Sequence, residues 1–146
     1  MSALTFTLKA TPAQRIDCSP LTPDVLQDKS ADDIAAIELA VGNSKQRVDA
    51  LFDIADGDSS RIQINNSDAK LDFIGHGMTQ GSITIEGDVG AYAGLLMASG
   101  ELTINGDTGI YTACEMAGGQ IKVNGNGGDF IGGARVGVKN GMTGGT

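Results

Sequence analysis

The chain has 146 residues, of which 18 are acidic and 10 basic, for a net charge of −8. That length suits one ordinary domain with room for a buried core, and the acidic balance excludes the basic stripe on which binding to a phosphate backbone depends. With no run of about eighteen apolar residues and no basic-then-apolar leader, a soluble cytoplasmic protein that binds neither nucleic acid nor membrane is expected.

Glycine divides the chain, with 2 of 22 in residues 1–58 and 20 in residues 59–146. A small α+β head is therefore predicted over 1–58, meeting a glycine-rich second domain over 59–146. In the head, LTFTLKA at 4–10 alternates like a strand. LTPDVLQ then offers Thr22 as N-cap and Pro23 at the first helical position, where its missing N–H costs nothing. SADDIAAI repeats the signal, with Ser30 as cap and Asp33 standing where a capping box usually has Glu. IELAVGN and RVDALFDI read as two strands joined by a turn at GNSK, and ADGDSS reads as a polar connector. Cys18 and Cys114 lack metal-ligand spacing and read as reduced thiols.

From Arg61 onward a period of nineteen residues takes over. IQI at 62–64, ITI at 83–85, LTI at 102–104 and IKV at 121–123 are apolar at their first and third positions, which puts both side chains on one face of a strand. An aromatic column follows, Phe73, Tyr92, Tyr111 and Phe130, and then a methionine column, Met78, Met97, Met116 and Met142, each just ahead of a glycine. The units run near 61–81, 82–100, 101–119 and 120–145; the first carries two extra residues and the last seven, RVGVKNG or an equivalent frame. Filler of Gly, Asp and Asn without a 3.6-residue period argues against leucine-rich repeats and against a helix in each unit. Nineteen residues at ~3.3 Å trace about 60 Å, one turn of a triangular coil cornered at glycines. The second domain is therefore predicted to be mainly β, a parallel β-helix of about nineteen residues per rung. Like stacks on like in such a coil, aromatic over aromatic, Met over Met, and Asn105 over Asn124.

The usual catalytic signatures are absent, with no dinucleotide fingerprint opening a helix, no phosphate-binding loop and no nucleophile elbow. His76, the single histidine, stands between two glycines without a nucleophile motif nearby and reads as a turn or surface group. GNGGDFIGG at 125–133 resembles the calcium-binding nonapeptide of secreted β-rolls, but that site needs successive nine-residue copies. The methionine column offers thioethers that suit Cu(I), although core packing explains it. The Gly-Asp-x-Gly turns outline anion nests, yet the Asp beside each one repels anions. Catalytic, cofactor-binding and metal-ligating residues are accordingly expected to be none. The insertion brings Arg135 and Lys139 onto an acidic module and is the expected partner-docking loop.

KSADDIAAIELAVGN and LFDIADGD in the head, with IGHGMTQGSITIEGDVG, CEMAGGQIKVNGNGGDFIGG and NGMTGGT in the repeats, resemble the C subunit of formylmethanofuran dehydrogenase. They equally resemble the C subunit of its bacterial relative, the formyltransferase/hydrolase complex, over essentially the whole chain. The glycine-rich coil is also similar to the GXGXG-type C-terminal domain of the glutamate synthase large subunit, which lacks the head. The first resemblance implies a right-handed parallel β-helix serving as a non-catalytic, cytoplasmic scaffold subunit for formyl transfer between a methanofuran-type carrier and formate. A stand-alone binding module and a glutamate-synthase-like domain are the alternatives. It also implies no cofactor on this chain, zinc in an amidohydrolase-like partner, molybdopterin in another subunit of the dehydrogenase version, and a formyltransferase subunit as a further partner. Members of this family continue with further rungs, whereas the present chain stops at Thr146, where the next strand should start. A shortened relative, a partner over the open edge, or self-association through that edge would each account for it.

Overall fold

The computed structural model describes residues 3–128. Within them lie β1 (Ala3–Leu8), β2 (Ile16–Asp17), α1 (Pro23–Leu26), α2 (Ala31–Ala35), β3 (Glu38–Val41), β4 (Ser44–Arg47), α3 (Val48–Leu51), β5 (Phe52–Ala55), β6 (Asp58–Ser67), β7 (Leu71–Asp72), β8 (Ser82–Gly87), β9 (Glu101–Asn105) and β10 (Gln120–Val123). Local signals set the short helices: the Thr22 hydroxyl accepts from the Val25 N–H at the start of α1, and Ser30 Oγ accepts from the Asp33 N–H at 3.1 Å at the start of α2. The segment RVDALFDI departs from the strand expected there. Gly42 takes a left-handed φ of 57°, so a tight two-residue turn at Gly42–Asn43 lets pairing resume at once in β4. Residues 48–51 are then left to close one helical turn before β5.

Two sheets result. One is six-stranded in the order β10-β9-β8-β6-β1-β5, the other four-stranded in the order β4-β3-β2-β7. In the first, β8, β9 and β10 pair in parallel at a spacing of nineteen residues, aligning Ile83 with Leu102 and Ile121, and Ile85 with Ile104 and Val123. Strand β6 joins in the same register through Ile62 and Ile64. The N-terminal β1 extends both columns with Leu4 and Phe6, and β5 closes the edge antiparallel to β1. Leu4, Phe6, Ile62, Ile64, Ile83, Ile85, Leu102 and Ile104 are all buried, and they form the spine of one core that also takes in Ile16, Leu39 and Phe52. Burial of each such side chain contributes roughly 1.5–3 kcal/mol, so the two columns dominate the packing.

The expected mainly-β coil, a right-handed parallel β-helix behind a small α+β head, is not the architecture of the described residues. They form a mixed α/β sheet fold with two sheets and few, short helices. A coil of that kind needs parallel sheets on two or three sides, whereas each unit gives a full strand only to the six-stranded sheet. The physical reason lies in the segments after those strands. Phe73, Gly75 and Gly77, then Tyr92, Gly94 and Leu96, then Tyr111, Ala113 and Glu115 all have φ between 55° and 73°. A left-handed residue at every second position cannot be extended backbone, so these stretches run as turns. The second sheet draws three of its four strands from the first 47 residues. Among the described residues no helix is long and apolar enough to cross a membrane.

Candidate functional site

The turn segments carry the residues singled out by the repeat. The rings of Phe73 and Tyr92 lie 5.2 Å apart and within 4° of parallel, and those of Tyr92 and Tyr111 are 5.2 Å apart and within 3°. Backbone bonds set the spacing, because the Phe73 N–H donates to Ala91 O and the Tyr92 N–H to Ile110 O, each at 3.0 Å. The stack is half-buried, so one side of it faces outward. Ile110 and Leu96, the neighbours of these turns, are 44% and 42% exposed. Leu96 and Ile110 are thus apolar side chains open to solvent on an acidic chain.

Met78, Met97 and Met116 are fully buried. Their partner glycines explain the pairing seen in the sequence. A Cβ at Gly100 would sit 2.9 Å from Met78 Cε, and one at Gly119 would sit 3.0 Å from Met97 Cε, and both glycines have positive φ. Each thioether tip thus fills the space a side chain would need in the next unit. Phe130, Met142, Arg135 and Lys139, with the RVGVKNG insertion, lie outside the described residues.

Carboxylates and amides tie the units along their other edge. Asp88 Oδ1 accepts from the Asp107 N–H at 2.9 Å, and Asp107 Oδ1 accepts from the Asn126 N–H at 2.8 Å. Asn105 Nδ2 donates to Glu86 Oε1 at 2.8 Å, and Asn124 Nδ2 donates to Asn105 Oδ1 at 2.6 Å. At the junction with the N-terminal strands, Arg15 forks onto Asp72 through Nε at 2.7 Å and a terminal nitrogen at 2.6 Å. That hydrogen bond, with the attraction of the charges, raises the Arg15 pKa above its ordinary value against the cost of burial. Asp72 also accepts from the Ala91 N–H at 2.8 Å, so one side chain of β7 joins the residue just before β2 to the next unit.

His76 packs beside Phe73 with ring centres 5.8 Å apart. Both cysteines are buried; burial, with Asp17 and Asp72 nearby, pushes the Cys18 thiol well up, and Cys114 Sγ donates to Glu115 Oε2 at 3.4 Å. Among the described residues no three His, Cys, Asp or Glu side chains are placed to hold one metal ion.

The exposed Leu96 and Ile110, the Arg15–Asp72 fork and the left-handed backbone of the turns do not follow from the sequence reading. For the backbone a signal exists, because Gly77, Leu96 and Glu115 occupy one repeat position, and Gly75, Gly94 and Ala113 another. Glycine in one copy marks a left-handed conformation that the other copies must share.

No family model matches the chain. It is similar to the C subunit of the tungsten-containing formylmethanofuran dehydrogenase 2 of Methanococcus maripaludis, with 35% identity over 97 residues, 65% of this chain and 36% of the relative. It is also similar to the C subunit of the formyltransferase/hydrolase complex Fhc of Methylorubrum extorquens, with 36% identity over 88 residues, 59% of this chain and 32% of that one. In three dimensions it matches a chain of the crystal structure of the Methylorubrum extorquens complex FhcABCD with methylofuran, with a TM-score of 0.92 and 33% identity. That match covers 97% of this chain and 53% of the other. Sequence and fold agree that the chain is a homologue of these C subunits, and it spans only about a third to a half of the length of the relatives it matches.

Proposed function

We propose that this chain acts as a C-type subunit of a formyl-transferring complex, a non-catalytic scaffold that holds its partners while one-carbon units pass between a methanofuran-type carrier and formate. The observation that carries this reading is the likeness along 97% of the chain to a component of a multi-subunit assembly. The half-buried stack of Phe73, Tyr92 and Tyr111 and the exposed Leu96 and Ile110 suit it, because aromatic and apolar side chains open to solvent are common material of contacts between subunits. On this reading the partners are an amidohydrolase-like subunit and a formyltransferase subunit in the cytoplasm. This chain carries no cofactor; zinc and, in a dehydrogenase, molybdopterin belong to the partners.

The test is recovery of the tagged chain from its own cells. The two partner subunits should co-purify at fixed stoichiometry, and the complex but not the isolated chain should turn over the formyl carrier. Recovery of the chain alone would favour an independent binding module, and turnover by the isolated chain would overturn the scaffold role.

A further inference from the structure

We propose that Asn126 is a site of spontaneous self-modification, losing its side-chain amide to its own backbone, while the Glu86–Asn105–Asn124 ladder shields the other Asn-Gly pairs. The sequence places Asn before Gly at 105–106, 124–125 and 126–127 among the described residues. A glycine that follows has no side chain to keep its backbone nitrogen away from the Asn Cγ, so Asn-Gly is the pairing best able to cyclise. What separates the three sites is how their amides are held. Asn105 is held twice, since Nδ2 donates to Glu86 Oε1 and Oδ1 accepts from Asn124 Nδ2. Its backbone is also in β9, opposite Glu86. Asn124 is held once through Nδ2. The Asn126 side chain is exposed and among the described residues its amide makes no hydrogen bond, although its backbone N–H and C=O bond Asp107 and Thr108.

The step balances without any outside oxidant or reductant. The Gly127 nitrogen gives its proton to solvent base and attacks Asn126 Cγ. The Cγ–Nδ2 bond breaks, Nδ2 leaves as ammonia with a proton from water, and a five-membered succinimide remains. One water molecule then opens either of its C–N bonds, giving aspartate or isoaspartate. Isoaspartate routes the main chain through Asn126 Cβ and Cγ, one atom longer between Cα and Gly127 N, and leaves the carbonyl that accepts from the Thr108 N–H at 2.9 Å as a free carboxylate off the chain path, so it disturbs the stacking of this turn on its neighbour.

Peptide mapping by mass spectrometry, on the full chain held at mildly alkaline pH in buffer and in urea, tests the assignment. In buffer Asn126 should convert first, then Asn124, with Asn105 about tenfold behind, the factor expected when its hydrogen bonds must open first; in urea the three rates should converge. Glu86→Ala should speed Asn105 several-fold and leave Asn126 unchanged, while Glu86→Gln, which can still accept, keeps Asn105 slow. Equal rates in buffer, Asn105 leading, an intact Asn126 in buffer, or an unaltered Asn105 rate in Glu86→Ala would each overturn the proposal.

Discussion

The N-terminal strands and the nineteen-residue units are built on different rules. Up to β5, each contact is made once by its own residues: Thr22 and Ser30 cap, Gly42 turns, and Phe6 meets Phe52 edge to face with ring centres 6.1 Å apart. Beyond β6, one contact is made again at each step with a different residue, as at Gly75, Gly94 and Ala113, at Val89 and Thr108, and at Glu86, Asn105 and Asn124. The repeats therefore contain their own comparison variants, and exchanging residues between copies isolates the energy of one position. The two regions meet in one core, so a loss in either should be felt by both.

The largest effect should come from β1, which lies between β5 and β6. Phe6 is fully buried, opposite Ile54 on one side and Ile64 on the other. Phe6→Ala should cost about 3–5 kcal/mol in urea unfolding and lower the midpoint of one shared transition. A second transition left unmoved would show that the repeats hold themselves.

Next is Gly94→Ala. An added Cβ would run into Ile121 Cδ1 at a φ of 72°, whereas at Gly75 it would meet Leu102 Cδ2 at 3.2 Å, and the same position in the third unit already holds Ala113. Overpacking should cost about 1–3 kcal/mol, and left-handed strain about 1–2 more. Ile121→Val removes Cδ1, so the Gly94→Ala penalty should shrink in that background. An unchanged penalty in a double-mutant cycle would put the whole cost in the backbone.

Thr108→Val should instead stabilise. Thr108 Oγ1 is buried without a hydrogen-bond partner among the described residues, and the preceding unit has buried Val89 at that position. Replacing the hydroxyl with a methyl relieves a desolvation cost of about 1–3 kcal/mol, visible as a higher urea midpoint at unchanged slope. A lower midpoint would mean that the hydroxyl is satisfied in solution.

The stacked strands are legible because an apolar-x-apolar triplet at a fixed period specifies both face and register. What the triplet does not carry is the pairing of β1 with β6, in which Phe6 and Ile64 meet across 58 residues of chain, or the Arg15–Asp72 fork, which spans 57. RVDALFDI reads as a strand, yet Val48 and Leu51, three apart, also satisfy a helical turn, and the tight turn at Gly42 has already used the preceding residues for β4. The aromatic column can be drawn by aligning the units, but its half-exposed position cannot, since the same spacing serves a buried stack. A triangular coil follows from the contour length only if every side can extend, and the left-handed turns forbid that.

The smallest effect tests the seam between the two regions. Asp58 opens β6 in register with Ala3 and accepts from both Ser60 Oγ at 2.7 Å and Ser60 N–H at 3.0 Å. These bonds, the hydroxyl first, hold its carboxyl below the ordinary aspartate value, with Arg61 adding a weaker attraction. A carboxyl whose folded pKa is depressed adds stability that is complete above its unfolded value and is lost as pH falls through the folded one. Ser60→Ala removes the side-chain donor, so the Asp58 pKa read by NMR titration should rise toward the ordinary value and the acid unfolding midpoint should move slightly up in pH. Asp58 is exposed enough for solvent to screen most of the gain. If the carboxyl titrates unchanged in Ser60→Ala, the turn at the seam is held by the backbone bond alone.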